Sequence, residues 1–137
     1  MKRISLFSLI FIAGCSTTPV HSDSAHEVPS NRYYQPEELR QHSEAKGKVV
    51  IKRDRWVMGS PCYMTIFIDG ERIAQLAPGE KLTFYPNPGE YIFGSRPNDP
   101  CTGSQQEIEA NVKAGKLLTY RIGYGGQADS FINRTTD

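Results

Sequence analysis

The residues able to do chemistry are few: three cysteines, three histidines, a pair of glutamates at strand spacing and one run of cations. A thiolate can serve as nucleophile, metal ligand or disulfide partner, but Cys–His catalysis and mixed zinc sites also need imidazole. His21, His26 and His42 all precede Gly47, and no histidine follows. The longer C-terminal part therefore lacks Ser–His and Cys–His pairs and imidazole metal sites, so no catalytic residue, metal or cofactor is expected there. Glu107 and Glu109 alternate along one apparent strand, and such a pair fits a solvated sheet face better than a glycosidase dyad. The "KGKVVIKRDRW" run places Lys46, Lys48, Lys52, Arg53 and Arg55 beside the only tryptophan, Trp56.

That run has two readings. Lys52, Arg53, Arg55 and Trp56 could form a docking surface for anionic headgroups, a surface polysaccharide or an acidic envelope protein, with Trp56 as the anchor. The preferred reading is plainer: an edge strand kept from pairing by its charges, with Trp56 a core residue under the loop that follows. Nucleic acid is not an expected partner. The formal charge is +1, and loss of a leader holding Lys2 and Arg3 would leave the remainder slightly acidic, without a basic field.

The positioning elements begin with the leader. Met1-Lys2-Arg3 is a basic head, and the apolar run from Ile4 to Ile12 is too short to cross a bilayer, which needs about 20 residues. Small residues follow, as in a secretory signal. Ile12-Ala13-Gly14-Cys15 resembles the lipobox of bacterial lipoproteins. The resemblance implies that residues 1–14 are cleaved as a signal peptide and that Cys15 receives the lipid. Small side chains suit the peptidase, a thiol suits lipid transfer, and several acyl chains are needed for firm anchoring. An ordinary secretory signal with an incidental Cys15 is the alternative. Ser16 after the cysteine, rather than Asp, implies the outer membrane, facing the periplasm.

Residues 15–46 are expected to be a lipidated N-terminus, a tether and a spacer. "STTPVHSDSAHEVPSNR" is rich in Ser, Thr and Pro and poor in large apolar groups, a composition that predicts flexibility. A 20-residue linker of this kind would reach roughly 25 Å and hold a domain clear of the headgroups. Pro36 to Gly47 predicts a short helix, with Pro in the first turn, Glu37 and Glu38 near the start and Lys46 at the end.

From 47 to 137 the pattern predicts a small antiparallel β-sandwich of about seven strands. Twelve glycines and nine prolines punctuate short alternating runs. In 62–69, Met64, Ile66 and Ile68 share one face and Tyr63, Thr65 and Phe67 the other, which implies a central strand or an exposed patch carrying Phe67. Asp69-Gly70 is a hairpin dipeptide. Ile108, Ala110 and Val112 share a face, as do Leu118, Tyr120, Ile122 and Tyr124. "GYGG" (123–126) leads into no helix, so it predicts a terminal turn rather than a phosphate loop. Cys62 and Cys101 are the one cysteine pair left once Cys15 carries lipid. In an oxidising compartment they should form a disulfide, closing a loop of about 40 residues for about 4 kcal/mol; two free thiols or a metal pair are the alternatives.

"YMTIFIDGERIAQLAPGEKLTFYPNPGEYIF" followed by "EANVKAGKLLTYRIGY" resembles a small β-domain of unknown function found in many bacterial lipoproteins, and more loosely the PEGA-type sandwich domains. The shared pattern is a strand ending in Asp-Gly, a Leu-x-x-Gly turn, a Pro-Gly turn, and an Ala-Gly-Lys turn before a Tyr-bearing strand. It covers roughly residues 48–124. Arg53-Asp54-Arg55-Trp56 departs from the Arg-Pro common after the first strand, and Cys62 and Cys101 are additions. The resemblance implies a β-sandwich with a non-enzymatic envelope role. The sequence thus predicts a lipid-anchored binding or structural module attached to the membrane through its acyl chains. An inhibitor or immunity protein against a lysozyme or toxin is the alternative, presenting the loop 96–105. A hydrolase is disfavoured by the missing histidines.

Overall fold

The computed structural model describes residues 17–56, 62–127 and 129–137. The expected leader and Cys15 lie outside them. The described chain is all-β. Its strands are β1 (His26–Glu27), β2 (Lys48–Arg53), β3 (Met64–Ile68), β4 (Glu71–Leu76), β5 (Glu80–Phe84), β6 (Gly89–Pro97), β7 (Gln106–Val112), β8 (Leu117–Tyr124) and β9 (Ser130–Thr135).

They form two layers. One sheet has the order β1-β5-β2-β8-β9 and the other β4-β3-β6-β7. Most pairings are antiparallel, but β2 runs parallel to β8, as β1 does to β5. The inner faces supply the core: Val49, Ile51, Leu82 and Ile122 from one sheet, and Met64, Ile66, Leu76 and Val112 from the other, none more than 1% exposed. Phe93 of the four-stranded sheet meets Phe84 and Tyr120 of the opposite sheet edge-on, at 5.6 and 5.4 Å, a favoured aromatic geometry.

The turns follow from local chemistry. Asp69 and Gly70 both adopt positive φ, 47° and 81°, as a two-residue hairpin between twisted strands requires. The Asp69 carboxylate also accepts the Ile92 N–H at 2.8 Å. A register shift between Ile66 and Phe67 passes over Ile73 on the partner strand. Ile73 and Ala74 are consequently both buried, and Phe67 is left on the outer face, where it is half-buried.

Four expectations need correction. β2 is the middle strand of its sheet, flanked by β5 and β8, so its charges do not blunt an edge. "GYGG" is not terminal, because the chain returns as β9 against β8. The segment from Thr17 onward does not behave as a flexible tether: it packs against both layers. Val20, Ala25, Val28 and Tyr33 are buried, β1 extends the β5 edge, and Tyr33 bridges to Ala74 of β4. The expected helix at 36–47 is only the 3₁₀ turn Glu37–Arg40, with Leu39 against the core. The physical reason is edge satisfaction. β5 and β4 would otherwise present unpaired backbone groups, and residues 17–35, a strap across the two layers, cover both with residues spaced at neither helical nor strand period.

Candidate functional site

The fold divides the expected docking patch. Lys52 and Arg53 are each 2% exposed, Trp56 is half-buried and only Arg55 is exposed. Lys52 faces outward in one row with Lys81 and Arg121, but the strap and the C-terminal residues cover that row. Lys52 pairs with Asp137, and Lys81 Nζ donates to the Ser22 carbonyl at 2.6 Å. Arg121 pairs with Asp54. The hydrogen bond from Lys52, joined by those from Ser22, draws the Asp137 carboxyl down to about 2.

Arg53 points the other way, between the sheets. Its Nη1 donates to the carbonyls of Cys62 at 2.7 Å and Leu76 at 2.6 Å, tying the centre of one sheet to the ends of two strands in the other. Burial pushes its guanidinium down to about 10. Trp56 packs on Tyr124, with ring centroids 5.5 Å apart. Lys52 and Arg53 thus serve the fold. Glu107 and Glu109 are exposed, as a solvated sheet face predicts. Cys62 and Cys101 are disulfide-bonded across a separation of 39 residues, with Cα atoms 6.1 Å apart. Among the described residues no group of His, Cys, Asp and Glu could hold a metal ion.

Exposed rings and cations gather on the outer face of the four-stranded sheet. Register places Gln75, Thr65 and Arg96 in one row and Arg72, Phe67 and Gly94 in the next. Arg72 lies 4.2 Å above the Tyr34 ring and Arg96 lies 5.4 Å from the Phe67 ring. Among the described residues no carboxylate stands within ion-pair distance of either guanidinium. Arg32, at the side of this face, is held twice over: its fork meets Glu80 at 2.6 Å through both Nη atoms, and its plane covers Tyr63 at 4.6 Å. Burial opposes ionisation of Glu80, but the Arg32 fork and the Ala77 N–H outweigh it and hold the carboxyl below its ordinary range.

A polar track crosses the same face. Tyr34 Oη donates to Gln75 Oε1 at 2.7 Å, Gln75 Nε2 to Thr65 Oγ1 at 3.4 Å, and Thr65 Oγ1 to Asn98 Oδ1. The loop carrying Asn98 and Cys101 walls a shallow groove of ≈ 750 Å³ above Phe67, Arg72 and Arg96. The disulfide therefore staples one wall of this groove to the start of β3. Rings, amides and unpaired guanidinium groups held on a rigid sheet can stack on planar or apolar faces and grip anions.

Sequence reasoning left residues 62–68 as either a central strand or an exposed patch carrying Phe67; β3 is central and Phe67 is half-buried on its outer face, and the partners of Phe67 were missed. Tyr34 arrives from the strap, and Arg96 reaches Phe67 only because β6 pairs with β3. Alternation within β3 and β6 was the available signal. No family model, curated protein or solved structure matches the chain.

Proposed function

We propose that this chain is a lipid-anchored, non-enzymatic envelope protein that binds an anionic glycan through the open face of its four-stranded sheet. The carrying observation is the pair Arg72 and Arg96, exposed, laid on Tyr34 and Phe67 and lacking a carboxylate partner among the described residues. A guanidinium seated on a ring keeps its N–H edge available for carboxylate or phosphate, and a half-buried ring offers a platform for the apolar face of a sugar. The disulfide fits an oxidising compartment, and the lipobox at Cys15 supplies the anchor in the outer membrane, with the domain facing the periplasm.

Affinity measurements with a uronic-acid polysaccharide and a neutral one test the site. Binding should favour the acidic polymer and weaken about tenfold or more in an Arg72→Glu/Arg96→Glu variant. Equal binding by wild type and variant refutes the site. For the anchor, Cys15→Ala should abolish acyl labelling and block processing, and a variant still cleaved and membrane-bound refutes lipidation. A second reading is favoured by one observation: the loop walling the groove is stapled at Cys101, as an inhibitory loop against a lysozyme or toxin would be. Capture of one such enzyme, insensitive to Arg72 and Arg96, would select that reading.

A further inference from the structure

The strap changes the distance between anchor and domain. Thr17 is locked into the end of the five-stranded sheet: its N–H donates to the Tyr124 carbonyl at 3.1 Å, and its hydroxyl donates to Asp54 Oδ2 at 2.9 Å. The Tyr124 N–H donates back to that hydroxyl at 3.0 Å. Thr18 and Arg55 then exchange both backbone bonds, at 2.8 and 2.9 Å. The slot is built for this contact. A Cβ on Gly123 would collide with Thr17 Oγ1 and stand 2.8 Å from Asp54 Oδ2. Only Ser16 separates Cys15 from this lock.

We infer that the sandwich rests directly on the lipid headgroups by the end that carries Arg55 and Trp56. The inference rests on the Cys15 anchor proposed above. Three residue steps span at most about 11 Å. Adding the antiparallel bridge between Thr18 and Arg55 places the Trp56 backbone within about 20 Å of the Cys15 Cα. The exposed Arg55 and half-buried Trp56 suit that position, since cations meet anionic headgroups and tryptophan favours the interface. The Cys62 carbonyl held by Arg53 lies at the same end, so the stapled wall of the groove sits near the membrane.

The single tryptophan makes the placement measurable. The full-length protein, purified from membranes and checked by mass spectrometry for acyl groups on Cys15, is reconstituted into phosphatidylethanolamine–phosphatidylglycerol vesicles carrying dansyl-labelled headgroups. Energy transfer from Trp56 to dansyl should be strong. A ten-residue Gly-Ser insertion between Ser16 and Thr17, which leaves every strap contact in place, adds about 17 Å of reach and should cut transfer roughly two-fold or more. Acylated protein with equally weak transfer in both forms overturns the placement and leaves the anchor standing. Mature protein without acyl groups on Cys15 overturns the anchor and the placement with it.

Discussion

On the outer face of the five-stranded sheet, Lys52, Lys81 and Arg121 stand in one row, and each is met: by Asp137, by the Ser22 carbonyl and by Asp54. On the outer face of the four-stranded sheet, Arg72 and Arg96 stand on rings instead, open to solvent. The difference is the strap. Residues 17–28 and the C-terminal Asp137 lie over the first face and meet Lys81 and Lys52; over the second, residues 32–35 lie to one side and bring Tyr34 beneath Arg72 but no carboxylate to it among the described residues. Cations beneath a cover must be neutralised or bonded, because burying an unpaired charge is costly. Cations on an open face keep their hydration and remain available to a partner.

Breaking the two faces in turn should give graded effects. The largest comes from the staple beside the open face: a Cys62→Ser/Cys101→Ser double variant should lose about 4 kcal/mol of unfolding free energy, read in urea titrations. Arg53→Ala should cost about 2–3 kcal/mol by the same measurement, because the carbonyls of Cys62 and Leu76 lose a buried donor. Retention of full stability would show that Arg53 does not tie the two sheets.

A smaller effect should come from the covered row. Asp137 has its folded pKa drawn to about 2, below the ordinary 3.8. Its contribution is therefore complete above pH 3.8 and falls away as pH drops through about 2. Carboxyl NMR should find that low midpoint in wild type and a return toward 3.8 in Lys52→Met. An unchanged midpoint would sever Lys52 from Asp137. The smallest effect on stability belongs to Arg72→Glu/Arg96→Glu, which should leave unfolding within about 0.5 kcal/mol of wild type while weakening the proposed glycan binding. A large loss of stability would mean that the open face is structural, and the contrast between the faces would fail.

Much of the layered architecture was legible because strand alternation and turn chemistry are local. Met64 and Ile66 face inward as their alternation demands, Asp69-Gly70 turns with positive φ at both residues, and Cys62 pairs with Cys101. β9 was hidden because "SFINRT" alternates weakly and follows a glycine-rich turn. The strap was hidden because Val20, Ala25, Val28 and Tyr33 are too widely spaced to make a periodic signal, although each finds its own slot. The candidate site was the least legible part. Tyr34 and Arg72 come from distant segments, and the bulge opposite Ile66 decides which rows face out.

The sequence by itself determined the class of fold, most strand positions, the hairpin and the cysteine pair, since these depend on periodicity, backbone preference and parity. Only the tertiary structure decided which cations are exposed. Lys52, Arg53 and Arg55 are near neighbours in sequence, yet one is buried against Asp137, one lies between the sheets and one meets solvent. Alternation sends neighbours to opposite faces of a strand, and whether a face is covered depends on segments far away along the chain.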